Sequence, residues 1–210
     1  MAGTDYSLTV VNNSTNYVDI CLYQSAPDLG VPDVSALAWL AEPAYPTTTV
    51  TFTWSIDYSF VWSNNGTLKP GSVFAASQTW PADPAGKSAP QQALLTYGKG
   101  AYTFNKGATP VPTPEPGSLY IHEDASVPLR QASVGIGMSG AAAFAVPAQP
   151  NQNLVFTTHP EYWVTAGTFT PGQIIDEEQV SDKAGIEFLP GVFAMTATLN
   201  ADNTWTVSAN

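Results

Sequence analysis

The sequence predicts an all-β protein made of two similar antiparallel, β-sandwich-like modules derived from an internal duplication. Three observations carry this. The apolar set is rich in strand-favouring residues, with 6 Trp, 9 Tyr and 9 Phe, while 16 Gly and 18 Pro supply frequent chain reversals. The stretch VTFTWSIDYSFVW, Val50 to Trp62, alternates aromatic or aliphatic and polar residues at period 2. A block with the same order of features then recurs about a hundred residues later.

Taken from the N-terminus, YSLTVVN (residues 6–12) reads as a strand, one that could present an open edge to a neighbouring molecule. Cys21, between Ile20 and Leu22, reads as an inert strand thiol, and as the single cysteine it excludes an internal disulfide. Val34 to Leu40 suggests short helical turns. The aromatic stripe from Val50 to Trp62 is long for one strand unless it bends midway. A Gly66-Thr67 turn, a Pro70-Gly71 turn and an apolar strand follow. After a loop at 77–92, Ala93 to Phe104 reads as a hairpin turning at Gly98-Lys99-Gly100. The proline-rich stretch KGATPVPTPEPGS reads as an extended connector. The expected organisation is therefore a first module at 1–105, a connector at 106–118 and a second module at 119–210.

The second module repeats the first. Phe156-Thr157 answers Phe52-Thr53, and Glu161-Tyr162 answers Asp57-Tyr58, at a spacing of 104 residues. Gly167-Thr168 and Pro171-Gly172 answer the two turns after a short gap. Met195 to Val207 closes as a hairpin, as Ala93 to Phe104 does.

Gly135-Ile136-Gly137-Met138-Ser139-Gly140 matches the dinucleotide fingerprint G-x-G-x-x-G. That chemistry needs a helix after the glycines, its N-terminus facing a pyrophosphate. Pro147 and Pro150 interrupt any such helix. The segment reads instead as a strand with Val134, Ile136 and Met138 on one face. Its glycines, on the other, would let another backbone or a flat ring approach.

A net charge of -11 argues against nucleic-acid and anionic-membrane partners. No apolar run reaches the roughly 20 residues of a membrane span, and MAGTDYSLTV has no signal-peptide pattern. The expected location is cytoplasmic, or exported without a cleavable signal. No cofactor is expected, and HExxH, CxxC and GxSxG are all lacking. Asp176, Glu177 and Glu178 are the calcium candidates, although they do not form an EF-hand loop. His122-Glu123-Asp124 and His159-Pro160-Glu161 each place a histidine beside acids, the minimum for a hydrolase reading. Trp39, Trp80 and Trp163 lie near turns or off the main stripe and are the candidate ligand-binding rings, with Asp57 and Glu161 as the accompanying acids.

The segments Leu37-Ala38-Trp39-Leu40, Ser55 to Trp62, Ala76 to Pro81 and His159-Pro160-Glu161-Tyr162-Trp163, together with Gly135 to Ser139, resemble the rhizosphere-induced RhiA-like proteins of soil bacteria. The resemblance extends over most of the chain. It implies a protein made abundantly by root-associated bacteria, often under population-density (quorum-sensing) control, and it brings no catalytic signature. The expected function is a non-enzymatic structural or interaction protein acting by self-association or surface adhesion, with a lectin-like glycan binder and a small hydrolase as alternatives. The expected partners are copies of itself, as a homo-oligomer or larger assembly, and surface glycans.

Overall fold

The computed structural model of the chain describes residues 5–25, 33–105, 111–180 and 182–210. Residues 106–110 of the connector, and residues 1–4, lie outside them.

Among the described residues there are only strands, turns and loops. The strands are β1 (Asp5–Asn12), β2 (Val18–Gln24), β3 (Ser35–Ala36), β4 (Leu40–Ala44), β5 (Thr49–Ser55), β6 (Tyr58–Ser63), β7 (Gln78–Ala82), β8 (Gln92–Gly98) and β9 (Ala101–Asn105). They continue as β10 (Ser118–Glu123), β11 (Ser133–Met138), β12 (Ala141–Pro147), β13 (Asn153–Thr157), β14 (Tyr162–Gly167), β15 (Lys183–Ile186), β16 (Ala194–Leu199) and β17 (Trp205–Ala209). The protein is all-β. No helix among the described residues is long and apolar enough to cross a membrane.

Four sheets form, ordered β17-β16-β1-β5, β9-β8-β10-β13, β3-β12-β11-β6-β7 and β4-β2-β14-β15. Every sheet takes strands from both sides of the connector. The boundary at 106–118 divides the chain but not the sheets. One plan of pairing occurs twice. β1 pairs parallel with β16 and antiparallel with β5, and β10 pairs parallel with β8 and antiparallel with β13. These two parallel pairs depart from the purely antiparallel expectation. In the other two sheets, β6 and β7 join β11 and β12 as β14 and β15 join β2 and β4.

Registers agree as well. Leu8 faces Phe52 where Leu119 faces Phe156, Tyr58 faces Ala82 where Tyr162 faces Ile186, and Val10 faces Ala197 where Ile121 faces Ala93. Left-handed turn residues fall at like places too: Thr47 (φ 64) and Asn151 (φ 58), Lys99 (φ 54) and Asn203 (φ 64). The two Pro-Gly turns meet each other directly, with Phe74 N donating to Gly172 O at 2.8 Å and Ile174 N to Ser72 O at 2.8 Å.

The aromatic stripe bends where its length requires. β5 and β6 part at Ile56-Asp57 and enter different sheets, so Phe52, Trp54, Phe60 and Trp62 stay buried while Ile56 is 47% exposed. One apolar core takes residues from all four sheets, among them Leu8, Leu22, Phe60, Leu95, Ile121 and Val134. A smaller cluster of Leu37, Val61, Phe74, Ala145 and Ile174 lies apart from it.

Two expectations are corrected. Val34 to Leu40 is extended, with Ala36, Leu37, Ala38 and Trp39 all buried; a segment covered on every side carries no polar alternation to mark it as extended. β1 is not an edge, since β5 and β16 flank it. Cys21 lies inside β2 at 0% exposure, where burial raises its thiol pKa far above the ordinary value.

Candidate functional site

The glycine motif is structural. In β11, Val134, Ile136 and Met138 enter the core. A Cβ on Gly135 would stand 1.8 Å from Phe144 O, and one on Gly137 2.6 Å from Ala141 O. The neighbour that uses the glycines is the backbone of β12, pressed close at a bulge between Ile136 and Gly137.

One concavity among the described residues is a cleft of about 670 Å3, within the size range of small-molecule sites. β14 builds one wall by simple alternation: Tyr162 points inward at 8% exposure, and Trp163 turns outward, half-buried. Across β15, Gly185 faces Trp163 and adds no side chain of its own there. Gly185 to Phe188 continue this wall, and Tyr6 and Ile56 face it from the first third of the chain. Tyr6 meets the Phe188 ring edge-on at 4.9 Å and stands 5.6 Å from Phe193. Trp54 backs the site, 5.3 Å from Tyr162 and 5.6 Å from Phe188. Burial pushes the Tyr162 phenol up to about 12.

Polar groups rim this aromatic lining. Glu161 and the exposed Glu187 both border the cleft. Ser25 Oγ donates to Glu161 Oε2 at 3.1 Å, and Ser25 N to Glu161 O at 3.1 Å, which fixes that corner. Trp163 Nε1 is covered yet has no hydrogen-bond partner. The Lys183 ammonium lies 4.9 Å from the Trp163 ring centroid.

The like place in the repeated pairing plan is lined differently. Where Trp163, Glu187 and Phe188 stand on one side, Ser59, Asp83 and Pro84 stand on the other. The Asp83 carboxylate accepts N–H groups from Ala85, Lys87 and Ser88, and these hold it down to about 2. Gly117 N donates to Pro84 O at 3.0 Å, tying a strap from the other half of the chain across that loop.

Of the sequence candidates, only Trp163 and Glu161 meet in the cleft, with Asp57 next to its Ile56 wall. The Ser55 hydroxyl donates to the Asp57 carboxylate. Trp39 is not a surface ring: at 1% exposure, its Nε1 donates to Met138 O at 2.8 Å. Trp80 is half-buried against Phe104 at 6.2 Å and Phe60 at 6.5 Å, away from the cleft. Asp176 caps its own turn, accepting from Gln179 Nε2 at 2.6 Å and Glu178 N at 3.3 Å. Among the described residues, no three His, Cys, Asp or Glu converge as a metal site would need. His122 is buried between Asn153 Oδ1 at 2.7 Å and Gln92 Oε1 at 3.2 Å, and His159 Nδ1 lies 2.7 Å from Thr158 O. Sequence reasoning missed Tyr6, Ile56 and Phe188, and read Glu187 only as an acid that could join the calcium candidates. The one available signal was the mid-stripe break that releases Ile56.

Fold and cleft together define an all-β protein with an open aromatic and acidic surface cleft. The sequence profile of the RhiA family matches residues 3–210. The chain is 34% identical over 209 residues to Protein RhiA of Rhizobium leguminosarum bv. viciae, covering 98% of this chain and 87% of that one. It belongs to the RhiA family. No solved structure matches it.

Proposed function

We propose that this RhiA-family protein is a non-enzymatic interaction protein that acts by surface adhesion, its cleft receiving a sugar ring of a surface glycan. The observation that supports this most is the pairing of Trp163, Tyr6 and Phe188 with Glu161 and Glu187 around one open cleft. Aromatic faces take the C–H face of a sugar, while carboxylates accept hydrogen bonds from its hydroxyls. We also infer that the repeated pairing plan descends from one copied unit, in which the two like places came to be lined differently.

The test is a fluorescence titration with oligosaccharides from root and bacterial surface polysaccharides. Trp163→Ala is expected to weaken binding about tenfold or more with the circular-dichroism spectrum unchanged. A wild-type protein whose tryptophan emission responds to none of them defeats the glycan reading.

Self-association is supported by a separate feature. β13 (NLVFT) is a sheet edge without charge or proline, and its Val155 is 37% exposed. Such an edge can add a strand from another molecule. Val155→Lys is expected to reduce any assembly seen by size-exclusion chromatography to monomer, and an assembly untouched by this change uses another surface.

A further inference from the structure

A second cavity, of about 400 Å3, lies apart from the aromatic cleft and has the opposite electrostatic character. It is bordered by Asp33, the Gly66 to Lys69 loop and Arg130. Arg130 is the only arginine in a chain with six cationic side chains and a net charge of -11. Lys69 borders the same cavity. The other lysines within the described residues sit elsewhere: Lys183 over Trp163, Lys99 in a hairpin turn and Lys87 beside the Asp83 turn. Two cations thus share one cavity in a protein whose net field repels anions.

The placement of Arg130 is built into the fold. Its backbone is left-handed (φ 54), an uncommon state for a residue other than glycine, and its N–H donates to Ala148 O at 2.8 Å. Gly66 packs against it so closely that a Cβ there would stand 2.0 Å from Arg130 O. Ser133 Oγ fixes the same loop by donating to Asn65 O at 2.6 Å. The Arg130 guanidinium lies 3.6 Å from the Asp33 carboxylate, and both side chains are about 60% exposed. A long, solvated pair of this kind is weak. The Asp33 carboxylate marks where an incoming one would sit, and it is readily displaced.

We propose that this cavity binds the carboxylate of a small organic acid, with Arg130 taking its two oxygens through parallel N–H donors and Lys69 adding a point charge. The fork can take two oxygens of a carboxylate or of a tetrahedral oxyanion, and the Asp33 carboxylate already beside Arg130 points to the former. This site stands independently of the glycan reading.

Calorimetric titration of the full chain with succinate and with sulfate, at fixed ionic strength in chloride, tests it. Succinate is expected to bind saturably, and sulfate about fivefold more weakly. Arg130→Gln and Lys69→Gln are each expected to weaken succinate binding about tenfold, and Asp33→Asn to tighten it about threefold by removing the resident competitor. Lys69→Gln alters no left-handed backbone position, so it keeps the test decisive if Arg130→Gln fails to fold. Absence of saturable succinate binding, sulfate binding as tightly as succinate, unchanged succinate affinity in Lys69→Gln, or weaker binding in Asp33→Asn overturns the assignment.

Discussion

Replacing Gly135 by alanine is expected to destabilise the protein by about 4 kcal/mol, lowering its melting temperature by roughly 10 °C. The cause is contact rather than conformation. The new methyl would enter the space of Phe144 O, 1.8 Å away, and that oxygen belongs to backbone that cannot rotate aside. Gly135 faces Ala145 on one side and Val61 on the other, so relief would require β11 to part from a neighbour in the middle of its sheet. Gly140 supplies the contrast. It has φ +78 and no atom within 4 Å of an added Cβ, so Gly140→Ala meets only the left-handed backbone penalty, about 1 kcal/mol. Thermal melts of the two variants separate the causes. Equal melting temperatures would mean that β12 yields at Phe144 and the close approach is not rigid.

The second large effect is a dependence on pH that one side chain creates. Glu123 is 2% exposed; its Oε2 accepts from Gln149 N at 3.1 Å, while Oε1 has no partner. Burial raises its pKa from 4.5 to about 8. The folded state therefore holds this proton more tightly than the unfolded chain does. Its contribution to stability is fully present below about pH 4.5 and is lost as pH rises through about 8. The loss approaches 1.4 kcal/mol per pH unit within that window. His122 acts in the opposite sense. Burial lowers its pKa from 6.5, so its term is present above that pH and is lost on acidification, which leaves the range above 6.5 to Glu123. In urea unfolding, Glu123→Gln is expected to exceed the wild type by on the order of 3 kcal/mol near pH 7.5 and to lose little stability between pH 6.5 and 8.5. A wild type that is equally stable at both ends of that range would show that water reaches the carboxylate. The like position in the other half is Asn12, an amide whose groups are all used: Nδ2 donates to Asn16 O and Ala44 O, and Oδ1 accepts from Ser14. Asn12 N donates to Thr48 O as Glu123 N does to Gln152 O. An amide is thus compatible with this position.

What could be read in the sequence was what repeats locally. Alternation placed Phe52, Trp54, Phe60 and Trp62 inside, and the spacing of 104 residues recurs between β5–β8 and β13–β16, while β1 and β10 are offset by 111. The glycine run was legible because proline excluded its helical alternative. Trp39 was misread because its segment is buried on every side and carries no alternation, and nearness to a turn does not imply exposure. The cleft was only half legible. Trp163 and Glu161 are neighbours in sequence, but Tyr6 and Phe188 join them only through pairings between distant strands, which leave no local trace. For the same reason nothing in the sequence gave notice of the parallel pairs.

Those parallel pairs bear on how the molecule is made. β1 leaves the ribosome long before its partner β16, from which most of the other strands separate it in the chain. Until synthesis reaches residue 199, one flank of β1 has no latch. Closing so large a loop is slow, and it makes completion of the protein a late, concerted event rather than the docking of two finished halves. During that wait the open flank of β1 offers β16 of a second nascent molecule the same backbone pairing as its own. Crowded synthesis therefore offers a route to reciprocal exchange of β16–β17 hairpins that needs no interface beyond the pairings already encoded.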